Sequence, residues 1–133
     1  MTKHEFNYAN IEIRQDGTIV LRPMQKEAME LHDLQMAVGG HIEMVRVNYF
    51  ALEGLNYYMI VNDEGAIRPE FRVNLVASML YHTIPFNAPI FGDVVLGVHK
   101  TSPEPDVYNM PIEETVKLLE ILNDWKAVMA AYD

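Results

Sequence analysis

The chain reads as one α+β domain, an antiparallel-rich sheet of five or six strands with three helices, the last of them long and packed on the sheet. Three observations predict it. β-branched runs punctuated by turn residues recur from the first strand to residue 98. Residues 34–45, Leu-Gln-Met-Ala-Val-Gly-Gly-His-Ile-Glu-Met-Val, read as a helix stopped by two glycines and turned at once into a strand. A sustained helical pattern then occupies residues 111–132. At 133 residues the chain has the size of a single domain, able to bury roughly two-thirds of the surface its unfolded form exposes. The expected organisation is an N-terminal hairpin over 1–23, a middle unit over 25–98 and the C-terminal helix.

The hairpin comes from 10–14 and 18–22, which flank Gln15-Asp16-Gly17; Asp-Gly between such runs is a strong hairpin signal because glycine takes positive φ freely. Pro23 lacks a backbone donor and is expected to end the second strand. A helix is expected over 25–38, with Leu31, Leu34 and Val38 as its stripe and Ala28 and Met29 beside it. Gly39 is placed to close its last turn in the left-handed conformation, and Gly40 to reverse the chain into a strand over 41–47. A phosphate cradle would need glycines before a helix N-terminus, and these follow a helix.

Residues 48–56 read as a loop carrying Tyr49 and Phe50, and 57–61 as the next strand. Asn62-Asp63-Glu64-Gly65 has the composition of a turn, after which 66–68 returns briefly as a strand. Asn74 reads as the N-cap of a helix running to about His82. Residues 83–89, with two prolines, form a loop, and 90–98 a glycine-interrupted apolar strand central to the sheet. Residues 101–106 are the clearest linker. In the final helix Pro111 suits the first turn, Glu113 and Glu114 complement its positive end, and Leu118, Leu122, Trp125 and Met129 form a stripe widened by Val116, Ile121 and Val128.

Composition narrows the class of function. No stretch approaches the 18 or so uncharged apolar residues of a membrane span, and Met1–Glu5 has no signal-peptide core. The absence of cysteine removes disulfides, thiolate metal sites and cysteine nucleophiles. A cytoplasmic protein is expected. The formal charge of −9 repels duplex nucleic acid and favours basic protein partners or plain solubility.

Leu34-Gln35-x-x-Val38-Gly39-Gly40-x-Ile42-Glu43-x-Val45 resembles the opening motif of an uncharacterised family of phage and bacterial mobile-element proteins. Val61-Asn62-x-Glu64-Gly65 is similar to its second motif, Asn74-x-x-Ala77 to its third and Ile90-x-Gly92-Asp93-Val94-Val95 to its fourth. The agreement covers about residues 31–96 and leaves out the hairpin and the C-terminal helix. The resemblance implies no activity, cofactor or catalytic residue. It implies a setting, a small accessory protein acting in the cytoplasm of a bacterial host, where such proteins often antagonise host defences.

No catalytic set stands out. His4, His32, His41, His82 and His99 show no ligand spacing, and His41 with Glu43 on one strand face makes at most half a metal site. Ser78 lies in a helix and Ser102 in the linker, neither in a nucleophile context, and no phosphate-binding or dinucleotide fingerprint occurs. Asp93 beside Gly92 is as well explained by a turn as by chemistry. The suggestive group is basic and aromatic. Arg68 and Arg72 flank the start of the Asn74 helix, and Arg46, Tyr57 and Tyr58 lie on the strands before it, a set suited to a nucleotide-like ligand, although pairing of the arginines with surface carboxylates is the favoured reading.

The expectation is therefore a non-enzymatic binding protein with no cofactor and no metal, blocking a host protein by stoichiometric binding. A sponge for a small nucleotide signal is the alternative, and an unrecognised enzyme a further one. The tyrosines, the nine methionines and the last helix leave a homo-oligomer open.

Overall fold

A computed structural model of the chain describes residues 6–47, 56–81, 89–101 and 105–131. Residues 48–55 of the loop expected over 48–56, with Tyr49 and Phe50, and also His4, His82, residues 83–88 of the proline loop, Ser102, Tyr132 and the side chain of Met129, lie outside this description; Asn56 itself opens a strand.

The strands are β1 (Tyr8–Ile13), β2 (Ile19–Met24), β3 (Ile42–Arg46), β4 (Asn56–Asn62), β5 (Val94–Lys100), β6 (Asp106–Tyr108) and β7 (Met110–Pro111). The helices are α1 (Leu31–Val38), α2 (Leu75–Leu80) and α3 (Ile112–Ala131). All seven strands join one sheet, every pairing antiparallel, in the order β2-β1-β5-β4-β3. An α+β domain with its C-terminal helix packed on the sheet is what the sequence predicts.

The hairpin turn forms as its residues dictate. Gly17 adopts φ 95°, and the Asp16 carboxylate accepts from the Thr18 amide, which holds that carboxyl below its usual range. Pro23 does not end β2, which runs on to Met24. Arg14 and Thr18 form a hydrogen-bonded pair (Arg14 N to Thr18 O, 2.8 Å), so in this register Pro23, opposite Ala9, is a non-bonded position. Its nitrogen faces the free edge, where no donor is required.

α1 begins six residues later than the pattern predicts. Residues 25–30 are held as bent, non-helical chain by the corner between β6 and β7. The Asn109 amide donates to the Glu27 carbonyl (2.8 Å), its side chain donates to the carbonyls of Lys26 and Ala28, and Ala28 bridges Tyr108. Tertiary bonds override helix propensity there. At the other end Gly39 (φ 80°) and Gly40 both donate to the Gln35 carbonyl, closing the helix as expected. The short strand expected at 66–68 is instead a 3-10 turn over Gly65–Ile67 built on the Glu64 carbonyl.

One sheet face carries the main core, where Ile11, Met59, Val94 and Leu96 meet Val76 and Leu80 of α2 and Leu118 and Leu122 of α3. The other face packs Ile60, Val95 and Val107 under Leu34 and Val38 of α1. In α3 the inward side is Thr115, Leu118, Leu119, Leu122 and Trp125; Val116, Ile121 and Val128, expected to widen the stripe, are exposed.

β6 and β7 were not legible in the linker-like sequence. They enter where β1 and β5 diverge: β5 pairs with β1 through Leu96 and with β6 from Val98, while β7 pairs with the start of β1. Gly97 sits at this branch. A Cβ there would come within 2.8 Å of the Tyr108 carbonyl and into contact with Val107 and Met29. Gly97→Ala is expected to lower stability by about 2 kcal/mol in urea denaturation, as overpacking of a closed site does.

Candidate functional site

The six residues expected to share a ligand are divided among separate places. Asn74 is fully buried: its Oδ1 caps α2 by accepting from Ala77 N (3.0 Å), and its Nδ2 donates to the carbonyls of Ile13 and Gly92 (2.9 Å each). Arg68 lies against Glu70 (2.5 Å), farther from Glu64 (4.0 Å), and over the Phe71 ring. Hydrogen bonding and charge attraction from Glu70 raise the Arg68 pKa. Glu70 is itself lowered, first by its own backbone amide and then by Arg68. The Arg72 side chain is exposed while its backbone bonds to Gln15 and Gly92.

At the other end of β4, Tyr57 points into the main core and Tyr58 to the α1 face. There Tyr58 lies opposite Arg46, and its ring is 5.0 Å from that of His99. Asp93 accepts from the Gln15 amide. Ser78 is buried and bonds to Ile90. Among the described residues no three histidines or carboxylates gather where they could hold an ion, and no helix is long and apolar enough to cross a membrane.

The arrangement with most binding capacity is the edge strand β3. Its inner side is fixed by two bonds: Val47 N–H donates to Tyr57 O (2.9 Å), and Asp63 N–H donates to His41 O (3.0 Å). In an antiparallel ladder such pairs recur at every second residue. Residues 41, 43, 45 and 47 therefore turn to β4. Ile42, Met44 and Arg46 turn their N–H and C=O groups away from it, and no strand among the described residues takes that side. Three donors and three acceptors stand in a row.

Beside this edge, on the main-core face, lies a cavity of about 190 Å³ lined by Glu43, Val45, Asp63, Tyr81, Ile90 and Phe91. The carboxylates of Glu43 and Asp63 have no ion-pair partner among the described residues, and both side chains are exposed. Asn62 fixes the corner that presents them: its Nδ2 donates to the Val38 carbonyl, and its Oδ1 accepts from the Glu64 amide. Gly40 passes so close that a Cβ there would meet Asn62 Nδ2 at 2.9 Å. The Gly-Gly junction and the Asn-Asp-Glu turn thus brace each other at the start of β3.

The sequence names every residue of this edge and does not show that it is one, because strand order depends on pairings far apart in the chain. The alternation over 42–46 beside an acidic turn is the signal that could have found it. No family model, curated protein or solved structure matches the chain.

Proposed function

We propose that this is a small non-enzymatic binding protein that grips an extended basic segment of another protein along β3. The observation that carries the reading is the row of main-chain groups on Ile42, Met44 and Arg46, unpaired among the described residues, beside an acidic, partly aromatic slot. An extended peptide added to such an edge gains affinity from main-chain hydrogen bonds and specificity from pockets for alternate side chains. Glu43 and Asp63 suit a lysine or arginine in that slot, and the net charge of −9 steers basic partners toward the surface. The motif resemblance supplies the setting, a phage or mobile element, in which occupying a host defence protein one-to-one blocks it.

Fluorescence anisotropy with a labelled peptide of about ten residues alternating lysine and valine tests the reading. Binding is expected with a Kd of about 10 µM or tighter at low salt, weakening about tenfold or more by about 0.3 M salt. The same peptide with glutamate for lysine is expected not to bind. Equal binding of the two peptides, or none of the lysine peptide at about 1 mM, overturns it. Glu43→Lys is expected to weaken the lysine peptide about tenfold with little change in melting temperature, as an exposed substitution should.

A further inference from the structure

On the opposite side of the sheet from the acidic slot, a second cavity of about 280 Å³ opens between the end of β2, residues 25–30 and the start of α1. Its floor is the pair Asn10 and Asn109, exposed to only 1% and 2%. Both carboxamides are oriented by their neighbours. Asn109 Nδ2 faces the carbonyls of Lys26 and Ala28, so its Oδ1 must face Asn10, whose Nδ2 donates to it (2.7 Å). The Arg22 guanidinium, which can only donate, meets Asn10 Oδ1 (3.3 Å) and, through its other nitrogen, Asp33 Oδ1 (2.7 Å). Asn10 is therefore held with one N–H of its amide unspent among the described residues. Asp33 is held beside it, its Oδ2 likewise without a bond among the described residues.

A buried N–H without a partner is unfavourable, so this floor favours a ligand that brings an acceptor. Asn10 and Asp33 bond to neighbouring nitrogens of one guanidinium, and both line the cavity. The lining also includes the flat or soft side chains of Phe6, Met24 and Met29, with Gln25, Lys26 and Glu30 as its other polar members. The volume lies just below the roughly 300–1,000 Å³ usual for small-molecule sites, which suits a ligand of nucleobase size. At the mouth Lys26 pairs with Glu30 and Arg22 with Asp33 (2.7 Å each), so a phosphate there would compete with a carboxylate for each cation.

We propose that this cavity binds an uncharged nucleobase or nucleoside, whose ring acceptor takes the Asn10 N–H while its adjacent N–H donates to Asp33. Apolar and thioether side chains sandwich the ring. The site is independent of the β3 edge, so either can fail without the other.

Saturation-transfer NMR and calorimetry with adenosine, guanosine, uridine and cytidine test it on the intact chain. At least one nucleoside is expected to bind with a Kd below about 1 mM, with its base protons nearest the protein. Its monophosphate is expected to bind no more tightly, and an analogue methylated on the donating nitrogen at least about tenfold more weakly. Asp33→Ala, on a partly exposed side chain, is expected to fold and to lose about tenfold or more. No binding of any of the four at about 1 mM overturns the proposal, as does binding that is indifferent to Asp33→Ala and to methylation, or a monophosphate that binds more tightly than its nucleoside.

Discussion

Asn74→Ala is expected to destabilise the protein by about 4 kcal/mol, lowering its melting temperature by about 10–15 °C. Losing the cap to Ala77 accounts for about 1 kcal/mol. The rest comes from the two donors that join α2 to the end of β1 and to the bend before β5, through the Ile13 and Gly92 carbonyls. Each buried carbonyl left without its donor costs about 1–3 kcal/mol. Asn74→Asp separates the contributions. It keeps the acceptor for Ala77 but turns a carboxylate oxygen toward two carbonyl oxygens, so it is expected to be at least as damaging as alanine. Circular-dichroism melts and urea titrations measure both. A loss near 1 kcal/mol for alanine, with aspartate harmless, would reduce Asn74 to an ordinary cap.

Met44→Pro is expected to abolish binding of the lysine–valine peptide, weakening it by about thirtyfold or more, while lowering stability by no more than about 1–2 kcal/mol. Met44 turns its N–H to the open side, so proline there removes no bond to β4; it deletes the central donor of the row and sets its ring against an incoming strand. The molecule already tolerates this arrangement at Pro23, whose nitrogen faces outward from the opposite edge of the same sheet. Proline at Val45, whose amide turns to β4, is the control and is expected to destabilise strongly. Peptide affinity unchanged in Met44→Pro would exclude strand addition at β3.

Local chemistry was legible wherever a residue acts on its near neighbours. The Asp16-Gly17 turn, the glycine end of α1 and the Asn74 cap all form as read. What sequence alone did not show is set by distant partners. Lys26–Glu30 carries helical spacing, yet Asn109 holds that segment out of the helix. β6 and β7 are too short, and too rich in turn formers nearby, to register as strands without β5 and β1 beside them. α3 carries apolar residues around most of its circumference, so its pattern could not say that Val116, Ile121 and Val128 face water.

The same holds for binding. Arg68, Arg72 and Asn74 are close in sequence, but the first meets Glu70 and the last turns inward. Asn10 and Asn109, 99 residues apart, were invisible as a pair.

The late entry of β6 beside β5 and of β7 beside the first strand bears on how the protein is made. Loop closure over such a distance delays productive assembly, and chains dominated by non-local pairing fold slowly. On the ribosome the N-terminal hairpin emerges long before the segment that completes its sheet, and it must wait as an uncovered, aggregation-prone ribbon. Fragments ending ahead of residue 106 are then expected to depend on chaperones or to precipitate, and useful truncations will have to keep β1 together with β6 and β7.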